Sequence, residues 1–224
     1  MSTRRLLLCV AAVCLMLTTW GRQAIGAADC GESTPAPKFQ VGDKWVWRDE
    51  KGGESTREVV GFEGDLAQVK WADPRATQDK EGMAFIDPYG VTRKAIRPNG
   101  EIVTKQAVGA YVTIGQKVMD YPLQVGKKWE LSFLTQPRSG LGTLQSYTNR
   151  YSVLGCEEVL TPAGKFPALK IEIESSVQGG RYSGILHIWY ASKAKASVRR
   201  QYVPSQWWGG GRFLDNELIK YEVK

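Results

Sequence analysis

The sequence predicts an all-β protein of antiparallel strands, in which two tandem related β-units form a curved sheet, an open barrel or a sandwich. Two observations support this prediction. The pattern Gln-Val-Gly-x-Lys-Trp occurs at Gln40–Trp45 and again at Gln124–Trp129. Each copy opens a segment in which apolar and polar residues alternate, and this period of two is typical of half-buried strands. No stretch of helical period extends beyond about two turns.

The first unit begins with a strand in which Trp45 and Trp47 share one face. In the motif that precedes this face, the glycine permits a tight bend and the tryptophan is expected to fill the core. Two arms around Glu63-Gly64-Asp65 predict a hairpin, and two turn sequences then separate two short strands. These predicted segments are Arg57–Phe62, Leu66–Trp71, Val91–Ile96 and Glu101–Gln106.

The second unit shows the alternation more clearly. After the turn Thr161–Gly164, the apolar residues Leu169, Ile171 and Ile173 alternate with charged residues. Tyr182–Tyr190 is apolar on both faces, which is typical of a central strand. Further strands are marked by Trp129, Leu131 and Phe133, by Tyr147, Tyr151 and Val153, by Val198, Arg200 and Tyr202, and by Ile219, Tyr221 and Val223.

Residues 1–28 have the features of an export signal. Arg4 and Arg5 precede the apolar run Leu6–Leu17, and the small residues of Ala24–Ala28 suit cleavage. The run is shorter than the roughly 20 residues that span a bilayer, so we expect no transmembrane segment after processing. Thr3–Leu8 also resembles a twin-arginine signal, although a general secretory signal is favoured. The mature protein is therefore expected in the bacterial periplasm or outside the cell.

The remaining chain divides by composition into three parts. Residues 29–38 are a linker with two prolines, residues 39–117 form the first β-unit, and residues 118–224 form the second. We expect the two units to share one domain. Loss of the signal removes three of the 30 basic residues and no acid, which leaves 27 against 23 acidic residues, or a charge of +4. This ordinary balance gives no reason to expect nucleic acid as a partner.

Two cysteines, Cys30 and Cys156, remain after the signal is removed. An even pair in an oxidising compartment indicates a disulfide, which would attach the linker to the second unit. The alternative is a buried thiol at Cys156 and a free Cys30 in the tail. A lipid anchor on Cys30 is disfavoured, because Asp29 stands where a small residue is expected.

The second unit carries a recognisable series of motifs. Tyr121–Trp129 reads YPLQVGKKW, Pro162–Ile171 reads PAGKFPALKI, and Trp189-Tyr190-Ala191 follows. Over about residues 118–224 the chain resembles the TapB-like family of uncharacterised periplasmic or lipid-anchored bacterial proteins. That resemblance implies antiparallel strands, akin to the open barrels of lipoprotein carriers, and no agreed activity. The chain departs from the family at Ser192–Ala196, where a glycine-rich turn is usual.

A contact site is predicted in the unusual stretch Ser205–Arg212. Trp207 and Trp208 are adjacent, and neighbouring residues of a strand face opposite sides, so one indole is expected to be exposed or in a loop. Beside Arg212, an exposed indole suits stacking on a sugar ring, a membrane interface or a protein partner. The alternative is a hairpin loop whose tryptophan packs over the sheet edge. Lys193, Lys195, Arg199 and Arg200 form a basic stretch that is either solvated or, with Arg181 and Arg212, a patch for anionic lipid or glycan.

No residue pattern indicates catalysis, a metal or a cofactor. His187 is the one histidine, too few for a typical zinc site, and is expected to be hydrogen-bonded locally. Glu172 and Glu174 share a strand face that is expected to meet solvent. An enzyme would need two convergent carboxylates or a contact between Cys156 and His187 in a cleft.

The sequence thus favours a non-enzymatic exported protein that binds an apolar ligand or an envelope component. If a ligand is enclosed by the sheet, Trp45, Trp129 and Trp189 are candidates to line it, although core packing is favoured for each. The competing hypothesis is an interaction or assembly module that has another envelope protein as its partner and no ligand cavity.

Overall fold

A computed structural model describes residues 28–74, 79–89, 91–104, 112–113, 118–135, 145–177, 181–203 and 215–224. Within these ranges, 13 strands belong to one antiparallel sheet, which confirms the predicted fold class. A 3₁₀ turn at Ser192–Ala194 follows the strand that ends at Ala191, and no described helix has the length and apolar character needed to cross a membrane. The strands are β1 (Lys44–Asp49), β2 (Glu54–Glu63), β3 (Leu66–Ala72), β4 (Glu81–Ile86), β5 (Thr92–Ile96), β6 (Ile102–Thr104), β7 (Val112–Thr113), β8 (Lys128–Thr135), β9 (Gln145–Thr161), β10 (Gly164–Val177), β11 (Arg181–Ala191), β12 (Ala196–Val203) and β13 (Asn216–Glu222).

The strand order is that of a meander whose two chain ends meet in the middle of the sheet. Strands that follow one another in the sequence are paired, and β1 also pairs with β13. The break falls between β6 and β7, which are consecutive in the chain but form the two edges of the sheet. In the described part of the chain, the sheet is therefore not closed into a barrel.

A hydrogen bond between distant strands shows that the sheet is strongly curved. The N–H of Ala163, in the turn between β9 and β10, donates to the carbonyl of Leu218 in β13 at 3.3 Å. In the strand order, β10 is separated from β13 by β11 and β12. In a flat sheet that separation would be roughly 14 Å, because neighbouring strands lie about 4.8 Å apart. The β9–β10 hairpin must therefore curl back onto β13.

Two apolar clusters form the core. The first includes Trp45, Trp47 and Phe166, and the second includes Leu169 and Tyr151. Along the long central strands, residues on the two faces belong to different clusters, because successive side chains of a strand point to opposite sides. The first cluster contains Phe166, Ala168 and Trp189, whereas the second contains Leu169, Ile171, Ile173 and Tyr190. The prediction that β11 is a central strand, apolar on both faces, is confirmed.

The two copies of the repeated motif have the same local structure. Gly42 and Gly126 adopt φ of 93° and 86°, a region that glycine enters without the steric penalty of a side chain. Each glycine N–H bonds to the next strand, Gly42 to the carbonyl of Val59 and Gly126 to that of Val153, both at 2.8 Å. Trp45 is 3% exposed, as predicted, whereas Trp129 is only partly buried. The Trp129 ring instead stacks at 4.7 Å on Tyr151.

The residue between the glycine and the lysine of the motif differs between the two copies. It is Asp43 in the first and Lys127 in the second, so the two side chains carry opposite charges, and each makes a polar contact. In the first copy, the fully buried Asp43 accepts from Lys195 Nζ at 2.8 Å and from the backbone N–H of Lys224 at 2.9 Å. In the second copy, Lys127 Nζ lies 2.9 Å from the Asp120 carboxylate. Asp43 therefore ties the start of β1 to the 3₁₀ turn and to the C-terminus. Lys195, predicted to belong to a basic surface patch, is instead 14% exposed and ion-paired.

The segment before β1 is attached to the second half of the sheet. Cys30 and Cys156 are joined by a disulfide across 126 residues of sequence. Thr34 and Leu123 exchange two backbone hydrogen bonds, at 2.7 and 2.8 Å, and both residues are buried. The predicted linker thus has an ordered contact in its middle. The division into β-units at residues 117 and 118 stays a prediction.

Candidate functional site

A polar pocket of about 290 Å³ lies where β1, β12 and β13 meet. It exists because β12 and β13 are paired only through Arg199 with Glu217 and Arg200 with Asn216, so the two strands diverge beyond these pairs. The nine lining residues are all polar or charged, namely Arg48, Asp49, Glu50, Arg199, Arg200, Gln201, Asp215, Asn216 and Glu217.

Several charged groups of the pocket are already bound within the protein. Arg48 pairs with Glu54 at 2.8 Å, and Arg199 lies 3.7 Å from Glu217. Asp49 Oδ1 accepts backbone N–H groups of the following turn, at 2.7 and 2.8 Å. These contacts hold the pocket walls in place.

Asn216 and Arg200, opposite each other on adjacent strands, retain unused hydrogen-bonding capacity. Asn216 Oδ1 is buried without a hydrogen-bond partner among the described residues. Arg200 donates from Nε to Ser197 Oγ at 3.1 Å, and its two terminal nitrogens have no partner in the described ranges. A buried polar atom without a partner costs about 1–3 kcal/mol. Such a cost is tolerated at sites where a ligand or water completes the bonding.

A second arginine, Arg57, lies against the Trp47 ring. Arg57 Cζ is 5.8 Å from the centre of the Trp47 ring, whose Nε1 donates to the carbonyl of Ser197 at 2.8 Å. The Arg57 side chain makes no hydrogen bond or ion pair with the residues that the structure describes. Desolvation by the surrounding protein and, second, the positive charge of Arg200 together lower the pKa of Arg57 from 12.5 to about 10, while Asp73 acts in the opposite direction.

Trp189, a candidate lining residue for which core packing was favoured, lies in the first apolar cluster and is covered by its neighbours. It is 5% exposed, and its Nε1 donates to the Glu157 carboxylate. Lys170 Nζ and Arg199 Cζ lie 5.1 and 5.9 Å from the ring centre. Trp45 is likewise bound in the core, where its Nε1 donates to the carbonyl of Ala194 at 2.6 Å.

The residues considered for catalysis take structural positions. His187 Nε2 lies 2.9 Å from Glu172 Oε2 on the neighbouring strand, which confirms the predicted local hydrogen bond. The expectation that Glu172 simply faces solvent is wrong, because its side chain is 25% exposed and paired. Cys156 is bonded to Cys30, so its thiol is not available to His187.

The predicted contact residues Trp207, Trp208 and Arg212 lie outside the described residues. The described chain stops at Val203, the last residue of β12, and resumes at Asp215 in the pocket wall. Sequence reasoning missed Asn216 and Arg57 altogether. No local signal marks them, because the pairing of β12 with β13 and the stacking of Arg57 on Trp47 depend on the curved sheet.

A second pocket, of about 510 Å³, lies beside the β5–β6 turn. Its lining includes Asn99, and apolar and proline residues make it less polar than the first. It is lined by Ala72, Pro74, Asp79, Lys80, Glu81, Pro98 and Asn99.

The architecture is that of an all-β protein with a single open, curved sheet and a polar pocket between its central strands. No family model matches the chain, and no curated protein matches it. Among solved structures, the hypothetical lipoprotein YmcC from Escherichia coli is 12% identical, with a TM-score of 0.47 over 80% of this chain and 83% of that one. A candidate exported protein with a YmcC-like fold from Bacteroides fragilis is 14% identical, with a TM-score of 0.37 over 85% and 99%.

A candidate lipoprotein from Parabacteroides distasonis is 13% identical, with a TM-score of 0.37 over 86% of this chain and 100% of that one. These structural neighbours are described as bacterial lipoproteins or exported proteins. With TM-scores below 0.5, the similarity carries no argument about the function of this chain. The resemblance of residues 118–224 to TapB-like proteins stays a prediction.

Proposed function

We propose that this protein is a non-enzymatic protein of the bacterial envelope that binds a polar envelope component in the pocket between β1, β12 and β13. The observation that supports this function most directly is the Oδ1 of Asn216, which is buried without a partner among the described residues in a pocket lined by polar and charged residues. A ligand with a hydrogen-bond donor would satisfy this oxygen. Because the lining carries both signs of charge, it suits a ligand with donors and acceptors.

A polar ligand is favoured over the apolar ligand that the sequence first suggested. Of the tryptophans named as a possible lining, Trp45 and Trp189 lie in the first apolar cluster and Trp129 stacks on Tyr151. Phe39, Trp45 and Trp47 form successive ring contacts at 5.9 and 6.4 Å, and Phe166 contacts Tyr221 at 5.4 Å. The filled cluster also supports the second candidate, an assembly module that binds another envelope protein without using a cavity.

Native mass spectrometry of the mature protein, purified gently from a bacterial periplasm, tests the proposal. We expect an additional mass that disappears on denaturation and that is reduced in Asn216→Leu, which removes the unpaired oxygen at similar volume. The matched control is Asn99→Leu, which makes the same change in the second pocket and should retain the ligand. A bare polypeptide mass for the wild-type protein, or equal retention by Asn216→Leu, would contradict the proposed pocket.

A further inference from the structure

We propose that one end of the sheet docks on a phospholipid surface through four exposed aliphatic side chains, Val41, Val60, Val125 and Leu154, referred to below as the apolar end. Their exposed fractions are 50%, 38%, 55% and 48%. Single exposed apolar residues need no explanation, but these four recur in equivalent positions of a repeated structure. The inference goes beyond the proposed function, because the polar pocket lies where β1 ends and the apolar end lies where β1 begins.

The four side chains form two equivalent pairs. Val41 and Val125 are the valines of the two motif copies and lie in the bends before β1 and β8. In each bend, the glycine that follows the valine donates its N–H to the next strand at 2.8 Å. The acceptor is the carbonyl of the residue directly before Val60 in the first copy and directly before Leu154 in the second. Each pair therefore joins a motif valine to an exposed residue of the neighbouring strand.

Val60 and Leu154 are both bulge residues. The register between β2 and β3 skips Val60, and the register between β9 and β10 skips Leu154. A bulge redirects a side chain and is a built feature of a strand, not a defect. The same bulge occurs beside the same bend in both copies, and each time it exposes an aliphatic side chain. This recurrence indicates a surface with a purpose.

Both pairs lie at the same end of the sheet. Antiparallel pairings connect β1 to β8 in the order β1-β13-β12-β11-β10-β9-β8, so β1 and β8 run in the same direction and begin at the same end. Phe62 and Leu160, 45% and 71% exposed, lie near the ends of β2 and β9 and therefore toward this end as well. Ile102, 62% exposed, begins β6 at the opposite end.

The type of side chain favours lipid over a protein partner. Val and Leu are under-represented among the residues that dominate the energy of protein interfaces, where Trp, Tyr and Arg are enriched. Two separate aliphatic pairs at one end of a sheet would require a protein partner to match both shapes. The acyl boundary of a bilayer accepts apolar side chains without such a match.

The charges beside the apolar end also suit phospholipid head groups. Lys224 Nζ donates to the carbonyl of Val41 at 2.9 Å, and Lys128 follows the second bend. Both lysines are exposed and form no ion pair with the described residues. The neighbouring carboxylates of Glu58 and Asp120 are already paired with lysines of the two motif copies, at 3.2 and 2.9 Å. One ammonium group per pair is thus left for a head-group phosphate.

The start of the described chain lies beside the second pair. The carbonyl oxygen of Ala28 is 3.0 Å from Cys156 Sγ, and Cys156 comes two residues after Leu154 in β9. The apolar run Leu6–Leu17 of the predicted export signal is separated from Ala28 by residues 18–27, which extend over at most about 36 Å. A signal held in the membrane during export would therefore keep the apolar end within that distance of the bilayer.

Sedimentation of the mature full-length protein with vesicles of phosphatidylcholine and phosphatidylglycerol tests the proposal. We expect the wild type to sediment, and the double variants Val41→Ser/Val60→Ser and Val125→Ser/Leu154→Ser each to bind at least fivefold more weakly, because two aliphatic side chains no longer enter the bilayer. The matched control is Ile102→Ser, which changes an exposed aliphatic residue at the opposite end and should bind within twofold of the wild type.

Two further measurements separate docking from a structural role. The double variants should melt close to the wild-type temperature, because the replaced side chains are exposed. Val125→Trp should strengthen vesicle binding, since tryptophan favours the membrane interface, and this gain does not depend on how the serine variants fold. Absence of wild-type sedimentation, unchanged binding in either double variant, or an equal loss in Ile102→Ser would overturn the inference.

The oligomeric state tests the competing occupant, a second copy of this chain. Sedimentation velocity without lipid should show a monomer, and a dimer that both double variants abolish would overturn lipid docking in favour of self-association. Failure of the pocket function is distinguishable from failure of docking. Asn216→Leu should sediment with vesicles as the wild type does, because Asn216 lies in the pocket at the other end of β1.

Discussion

The strongest stability prediction concerns Asp43, which is fully buried at the junction of three chain segments. Its carboxylate accepts from the backbone N–H of Gln40 at 2.9 Å, from that of Lys224 at 2.9 Å and from Lys195 Nζ at 2.8 Å. In Asp43→Asn the side chain keeps its size, but one oxygen becomes an NH₂ group that faces a donor. The Lys195 ammonium, 14% exposed, also loses its counter-charge.

The expected loss for Asp43→Asn is about 3–4 kcal/mol in the free energy of unfolding. This magnitude follows from the removal of one partner of a buried ion pair, about 3–5 kcal/mol, reduced slightly because Lys195 is in part solvated. For a domain of this size, each kcal/mol shifts the melting temperature by about 2–4 °C, so we expect a fall of roughly 6–16 °C.

Urea unfolding followed by circular dichroism measures this loss, with Glu130→Gln as the matched control. Glu130 also pairs with a basic residue, Arg150, but both side chains are more than half exposed, at 54% and 62%. The control should therefore change stability by less than about 1 kcal/mol. A loss of less than about 1 kcal/mol in Asp43→Asn, or equal losses in the two variants, would refute the reasoning that burial makes this contact important.

Three further predictions concern a glycine, the disulfide and two tyrosines. Gly82→Ala should lower stability by about 1–3 kcal/mol in urea unfolding, because its Cβ would lie 2.9 Å from a carbonyl oxygen of β5; an unchanged midpoint would contradict this crowding. Cys30→Ser should cost about 4–5 kcal/mol in the chain-entropy model, since the bridge to Cys156 spans 126 residues. The intact mass of the wild-type protein should show two hydrogens lost and no lipid on Cys30, and a lipid adduct there would exclude the disulfide. Burial and mutual interaction raise the pKa of Tyr121, and burial raises that of Tyr190. Above about pH 10 the unfolded chain therefore loses these protons first and stability should fall as pH rises, with a shallower slope in Tyr121→Phe.

Much of the strand structure was predictable because alternation is a local property. The arms around Gly64, the buried pair Trp45 and Trp47, and the outward-facing Lys220 and Glu222 all agree with the predicted strands. Strand β4, Glu81–Ile86, was not predicted. Its sequence, EGMAFI, has adjacent buried residues and a glycine at the second position instead of alternation, and it is held as a strand by pairing with β3 and β5.

The candidate site was much less predictable than the strands. Trp207 and Trp208 stand out in the sequence because adjacent tryptophans are unusual, whereas the pocket is made of common polar residues. Arg48 and Arg200 are 152 positions apart and line one pocket only through the pairing of β1 with β13 and of β13 with β12. No sequence pattern of period two reports which distant strands will be adjacent.

The sequence by itself determined the all-β class and the residues that alternate along most strands, because side chains of a strand point to opposite faces whatever its partners. It also marked the bend before β1 and β8, since the positive φ of Gly42 and Gly126 is a local requirement. The tertiary structure alone decided that β1 pairs with β13, that the sheet opens between β6 and β7, and that Asp43 is buried against Lys195. These features depend on packing among segments that are far apart in the chain. The free energy of folding at these contacts is set by burial and by the curvature of the sheet, not by local alternation.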